Sequence, residues 1–275
     1  EEPRLAYDRI HLTEYFSGKS AKDLTLCRSD FADAYGIDLR LGTKAVSINQ
    51  HTRTVTTQHG EELTYDKLIL ATGSYAFVPP IPGNDRENCF VYRTIEDLDA
   101  IRAASLNAKT GVVIGGGLLG LEAAKALRDL NLETHVVEFA PRLMAVQIDD
   151  LGGKVLRSKI ENLGVKVHTQ KATSSIEDGA NAKHVMKFGD GAELETDIIL
   201  FSAGIRPRDE LARQSGLAIG ERGGIVINDY CQTSDADIYA IGECALWDNK
   251  IYGLVAPGYD MARIAAKHVL GQESH

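Results

Sequence analysis

An α/β fold built from two related halves is what this sequence predicts, and three observations carry the prediction. The first is an unbroken order of strand, glycine-rich turn, helix and strand between Gly111 and Glu138. The second is a repeat: a meander of short strands, then an apolar run ending in Gly, occurs twice at an offset of about 130 residues, far longer than a solenoid repeat and so the mark of a duplicated domain. The third is bulk: 275 residues, 44% hydrophobic and 25% charged, are enough for two ordinary domains with buried cores.

The elements follow in order. A helical stretch is expected at 29–35, then an alternating apolar strand at 38–41. Three more strands are expected at 45–49, 54–58 and 61–64, divided by the turn residues Gln50-His51 and His59-Gly60. The run Lys67-Leu68-Ile69-Leu70-Ala71-Thr72-Gly73 suits a strand buried on both faces of a parallel sheet. Val78-Pro79-Pro80-Ile81-Pro82-Gly83 continues neither sheet nor helix and reads as an extended crossing. A helix at 94–104 starts with Thr94 as N-cap and Asp97 three residues on, an acidic form of the capping box. After the glycine-rich unit, a helix at 149–162, a strand at 165–168, a second meander at 171–194 and a second buried strand at 197–202 repeat the first half. A strand at 238–241 and a helix at 259–270 close the chain.

The chemistry concentrates in Gly115-Gly116-Gly117-Leu118-Leu119-Gly120. A lone G-x-G-x-x-G is a weak signal, but here a β-branched strand precedes it, an Ala/Leu-rich helix follows, and the next strand ends in Glu138. Gly115 permits the tight turn, and Gly117 lets the backbone approach a pyrophosphate. Gly120 and Ala124 bring the helix close to the strands. The N–H groups opening the helix, at Leu118 and Leu119, then face the diphosphate from the positive end of the helix dipole. Glu138 accepts the adenosine ribose hydroxyls and repels a 2′-phosphate, which favours NADH over NADPH; Arg142, four residues on, would soften that preference. A second signal is Thr233–Gly242, where a polar turn leads into an apolar strand that ends at Gly242 and the carboxylate Glu243. Ligands of open α/β sheets gather at that edge.

Other classes are excluded by composition. The net charge of −9 and the lack of a Lys/Arg block argue against nucleic acid or an anionic membrane as partner. No apolar stretch has membrane-spanning length, and the start lacks the features of a secretory signal, so a cytoplasmic location is expected. The four cysteines are far apart, without C-x-x-C or iron–sulfur spacing, and are expected as isolated buried thiols; the eight histidines show no paired ligand spacing, so no metal is expected.

The sequence resembles the flavoprotein reductases with two dinucleotide domains, and is especially similar to the amino-terminal part of the large subunit of NAD(P)H-dependent nitrite reductases, enzymes of nitrate assimilation. The resemblance is carried by 1–9 (EEPRLAYDR), Ala71-Thr72-Gly73-Ser74, 91–98, Gly115–Ala124, Gly204-Ile205-Arg206-Pro207, 233–243 and Gly253–Tyr259. It implies two Rossmann-like dinucleotide-binding domains with three-stranded β-meander crossovers, the NAD domain inserted in the FAD domain. The implied boundaries are 1–108 and 229–275 for FAD and 109–228 for NAD(H). It implies that Glu122 and Gly204 flank the nicotinamide. Around FAD it places Glu1 or Glu2 at the adenosine ribose, Arg9 at the flavin or its phosphates, and Thr72 and Gly73 along the cofactor. Gly242 and Glu243 would lie at the ribityl chain, and the helix start around Pro257 and Gly258 at the pyrimidine edge of the flavin. Hydride passes from NAD(P)H to FAD with no catalytic acid, base or nucleophile from the protein.

Against the family pattern, the chain begins where the second strand of the FAD domain would end, so the first strand, turn and helix, on the order of thirty residues, are expected to be missing. Glu14 stands where many relatives carry Lys, and no cysteine lies in 10–17, which argues against thiol chemistry. Three readings follow: the electron-entry module of a nitrite reductase, whose partners are NADH and the remainder of that chain; an NADH-dependent rubredoxin or ferredoxin reductase, whose partner is an electron carrier; and a non-catalytic NAD-binding fragment. The sequence is also compatible with a homo-oligomer.

Overall fold

The computed structural model describes residues 1–272, and in it the chain forms two compact units. One comprises Ala6–Cys27 and Ala76–Gly204; the other comprises Glu1–Leu5, Arg28–Tyr75 and the chain from Ile205 onward.

In the first unit the β-branched runs become a five-stranded parallel sheet, in the order Cys89–Val91, Ile198–Phe201, Thr110–Ile114, Glu133–Val137, Val165–His168. All four residues of Ile198–Phe201 are buried, because both faces of the sheet are covered. Helices Ile95–Ser105 and Leu118–Asp129 contribute Ile101, Ala123, Ala124 and Leu127 to the core that also holds Val113, Val136 and Leu200. The meander Thr173–Asp178, His184–Phe188, Glu193–Thr196 joins Val112, Ile114, Ile199 and Phe201 in a second core. Its middle strand alternates buried and half-buried residues, the period of a sheet with one covered face. The parallel register sets Phe201 opposite Ile114, Ile114 opposite Val137 and Val137 opposite His168, so these strand ends share one edge.

Helix Ile95–Ser105 has the expected capping box, with Thr94 accepting from the Asp97 amide and Asp97 accepting from the Thr94 amide. Helix Asp150–Asn162 is capped by Asp149, whose side chain accepts from the Gly152 amide at 2.8 Å. The segment Ala6–Cys27 belongs here too. Tyr7, Leu12, Tyr15 and Leu24 are buried with Ile95 and Leu98, the Tyr15 hydroxyl donates to Asp99, and the Arg102 guanidinium lies 4.1 Å from the Tyr15 ring.

The second unit carries the other meander, Ala45–Asn49, Thr54–Thr57, Glu62–Thr64, and a parallel pair of Leu68–Leu70 with Ile238–Ala240. Its core gathers Leu70, Ile238, Tyr239, Ala240, Cys244, Met261 and Ala265 under the helix Val255–Val269.

Both meanders, the strand–turn–helix–strand unit and the two capped helices stand where the sequence predicts them; other details differ. The chain passes between the compact units at 5/6, 27/28, 75/76 and 204/205. Residues 76–108 pack with the five-stranded sheet because Cys89–Val91 extends its edge and Leu98 and Ile101 are buried against neighbours of that unit. The stretch Asp38–Leu41 forms no strand: Leu39 and Leu41 are exposed, and Arg40 pairs with Asp38 and Glu61. The run after Lys67 is a parallel strand only over Leu68–Leu70, and Ile69 is 43% exposed, so this strand is not buried on both faces. The last helix starts at Val255 rather than 259, since Pro257 is tolerated in a first turn where its missing N–H goes unused. Among the described residues there is no disulfide; Cys231 and Cys244 are buried, while Cys27 and Cys89 are only partly so. No helix among them is long and apolar enough to cross a membrane.

Candidate functional site

In the first unit, strand Thr110–Ile114 runs into Gly115 at φ +120°, where a Cβ would lie 2.2 Å from the Ser202 carbonyl oxygen. The turn can therefore hold only glycine. A Cβ on Gly120 would lie 2.0 Å from the Gly115 carbonyl oxygen, so the helix rests directly on the turn. Gly117 is different. Its backbone is extended, at φ −79° and ψ −176°, and a Cβ there would meet no atom within 4 Å. Packing of the chain does not account for a glycine at 117, whereas a group approaching this backbone from outside would.

Helix Leu118–Asp129 begins at that glycine without a side-chain cap and without an acid in its first turn. The helices Ile95–Ser105 and Asp150–Asn162 have both. Backbone N–H groups of a first turn have no partner within the helix and carry the positive end of its dipole. Beside them the Glu138 carboxylate accepts from the Gly116 amide at 2.5 Å and the Ala140 amide at 2.6 Å. Two fixed donors orient it, and a carboxylate retains further lone pairs for hydroxyl donors. Gly116, which the sequence reading passed over, is packed on this group: a Cβ would meet Leu143 at 2.7 Å and Glu138 at 3.0 Å. The run of three glycines was the available signal. Arg142 is engaged within its own loop: it donates to the carbonyls of Ile148 and Ala145 and to the Asp150 carboxylate at 3.0, 3.2 and 2.7 Å.

Of the residues expected at the nicotinamide, Glu122 is half-buried, and that burial raises its carboxyl pKa above the ordinary carboxylate value. Gly204 sits at φ +108° with open space beside it, its carbonyl accepting from the Phe77 amide at 2.9 Å.

In the second unit the strand Ile238–Ala240 leads to Gly242 at φ +72°. The Glu243 carboxylate accepts from the Ser74 hydroxyl at 2.6 Å and stands 3.2 Å from where a Cβ on Gly253 would be. A Cβ on Gly258 would come within 4.0 Å of the Gly242 Cα, so strand end and helix start meet here. Helix Val255–Val269, like Leu118–Asp129, has neither side-chain cap nor acid in its first turn. Thr72 and Gly73 are tied to Arg208: the Thr72 hydroxyl donates to its carbonyl at 2.5 Å, and its amide donates to the Gly73 carbonyl at 2.9 Å. Glu1 pairs with the Arg208 guanidinium at 3.0 Å, and the Glu2 carbonyl accepts from the Gly42 amide at 2.9 Å. Ser74 and Arg208 were not foreseen, and nothing in their local pattern marks them. Arg9 falls in the other unit, donating to the Arg93 carbonyl at 2.7 Å with its guanidinium 4.7 Å from the Tyr7 ring. Among the described residues no cluster of His, Cys, Asp and Glu is suited to hold a metal ion.

The residues fit a dinucleotide: an open glycine before an uncapped helix, with an oriented carboxylate on the neighbouring strand end, is an arrangement that α/β dinucleotide-binding folds use. The chain belongs to the pyridine nucleotide-disulphide oxidoreductase family, whose model matches residues 1–268. It is 58% identical over its whole length to the nitrite reductase (NADH) large subunit of Escherichia coli (strain K12), of which it covers 32%. It is 30% identical to the rubredoxin-NAD(+) reductase of Alcanivorax borkumensis, covering 97% of this chain and 69% of that protein. A ferredoxin reductase from Rhodopseudomonas palustris has a similar structure, with a TM-score of 0.92 at 28% identity, over 99% of this chain and 69% of that one. The chain thus spans about a third of the nitrite reductase it resembles.

Proposed function

We propose that this chain is the electron-entry module of a nitrite reductase, oxidising NADH and reducing FAD for onward electron transfer to centres elsewhere in that protein. The observation that carries the reading is Gly117: its Cβ direction is empty, in front of an uncapped helix and beside a carboxylate held by two amides. The identity to a nitrite reductase large subunit supports the choice of branch.

When bound, the nicotinamide supplies the hydride and the flavin accepts it, so the redox chemistry belongs to the cofactors. The protein binds and aligns. Gly115 and Gly117 with the N–H groups of Leu118, Leu119 and Gly120 would hold the NADH pyrophosphate. Glu138 would accept the adenosine ribose hydroxyls, and its charge would disfavour a 2′-phosphate, hence NADH over NADPH. Glu122 and Gly204 would border the nicotinamide. In the second unit, Glu1, Glu2, Thr72, Gly73, Gly242 and Glu243 would line the FAD. There Pro257 and Gly258 set the start of a helix whose dipole favours negative charge on the reduced ring. The unit with the five-stranded sheet is then the NADH unit and the other the FAD unit.

The relatives named for rubredoxin and ferredoxin favour a second reading, in which the acceptor is a small electron carrier. The test is the visible spectrum of the purified chain with added FAD, titrated anaerobically with NADH. Retained flavin absorbance that bleaches supports the module; NADH binding without retained flavin supports an NAD-binding fragment. Adding rubredoxin or ferredoxin to the reduced protein separates the carrier reductase from the nitrite reductase module, which should reduce neither.

A further inference from the structure

The loop after Glu138 folds back onto the glycine turn, with Leu143 packed beside Gly116 and the Met144 amide donating to the Gly116 carbonyl at 2.8 Å. Any cation in this loop is near the carboxylate that would read the adenosine ribose. Arg142 is such a cation, and an arginine in that position is how these sites accept a 2′-phosphate. Here its guanidinium is already engaged at all three nitrogens, by the Ile148 carbonyl through Nε, by Asp150 through Nη1 and by the Ala145 carbonyl through Nη2. Its stem lies on Gly153, where a Cβ would come within 2.8 Å of the Arg142 Cδ. Of the three acceptors Asp150 is the charged one. Two further cations are paired in the same way: Lys171, whose amide donates to the Glu138 carbonyl, with Asp190, and Arg157 with Glu161 at 2.8 Å.

We infer that Asp150 determines dinucleotide specificity by holding Arg142 in the loop, so that no guanidinium reaches a phosphate on the adenosine ribose. The inference rests on the NADH site proposed above. Asp150 touches no ligand; it is a positioning residue that removes a competing anion receptor. The selectivity has two parts: Glu138 repels the extra phosphate, and Asp150 keeps its natural partner occupied. Asp150 is exposed, at the start of a helix capped by its neighbour Asp149, so its substitution leaves the fold in place.

The test is calorimetric binding of NAD+ and NADP+, which differ only by the 2′-phosphate, to the full chain and to Asp150→Ala, Arg142→Ala and the double variant. The expected result is that Asp150→Ala binds NADP+ about three- to fivefold tighter, the scale of one exposed ion pair, with NAD+ affinity unchanged. The double variant should lose that gain, and Asp150→Asn, which keeps a neutral acceptor, should fall between. An unchanged preference in Asp150→Ala would overturn the inference, as would a gain that survives loss of Arg142. So would Arg142→Ala alone weakening NADP+ more than NAD+, because Arg142 would then already be a phosphate ligand. Failure of the unaltered chain to bind NAD+ would overturn the site itself, an outcome distinct from any of these.

Discussion

Two long helices begin without a cap, Leu118–Asp129 in one unit and Val255–Val269 in the other, and their surroundings differ in kind. Around the first, the strand, turn, helix start, second strand and carboxylate all come from one continuous stretch from Thr110 to Ala140. Around the second the parts come from remote segments, with Ser74 donating to Glu243 across 169 positions and Thr72 held by Arg208 across 136. The first site is built by local rules and the second by tertiary packing. Within the first, the glycines differ again. Gly115 and Gly120 are needed by the chain, and Gly117 is needed only if something binds.

That contrast orders the expected effects. Gly120→Ala drives a Cβ into the Gly115 carbonyl oxygen and should cost about 3 kcal/mol or more of stability, read as a large fall in Tm. An unchanged Tm would show that helix and turn are not in the contact described. Glu138→Gln keeps the shape and removes the charge. It should lose about 2 kcal/mol of NADH affinity, the worth of charge-assisted hydrogen bonds, and narrow the gap to NADPH. Equal losses for both dinucleotides would remove Glu138 from the discrimination. Ser74→Ala deprives Glu243 of a donor and should cost about 1 kcal/mol of stability in that unit, while NADH binding in the other is unaffected.

The smallest effect is a pH dependence of stability. His135, His168 and His184 are all held below their ordinary value of 6.5, first by burial. His135 and His168 are also hydrogen-bonded to each other at 3.0 Å, which requires a neutral acceptor nitrogen. At these three sites the unfolded chain therefore binds more protons than the folded one. The stabilisation is fully present above pH 6.5 and is lost as pH falls from there toward the folded values. Tm should decline between pH 7.5 and 5.5, and His135→Gln should flatten the decline; an equally steep profile in that variant would assign the loss to other groups.

How much was legible follows the same division. The strand–turn–helix–strand unit, both meanders and the Thr94 capping box could be read because hydrophobic period, glycine placement and cap chemistry act over a few residues. The packing of segment 6–27 could not, because Tyr7, Leu12 and Tyr15 join the core around Ile95 and Leu98 through contacts some 80 positions apart in sequence that no local pattern announces. The alternation at 38–41 misled for a related reason: period two identifies a strand only if a neighbour pairs with it, and here Leu39 and Leu41 face solvent. Glu138 was singled out by its distance past the glycines, but its bond to the Gly116 amide and the locking of Arg142 by Asp150 and two carbonyls became visible only in the folded loop.

If position 117 is glycine for the sake of a dinucleotide rather than of the chain, Gly117→Ala will show it in calorimetric NAD+ binding measured beside the thermal melt. Tm should stay close to that of the unaltered protein while NAD+ affinity falls about tenfold or more, since the added methyl projects into open space that only the ligand would fill. An unchanged affinity would contradict it and place the pyrophosphate, if one binds, elsewhere.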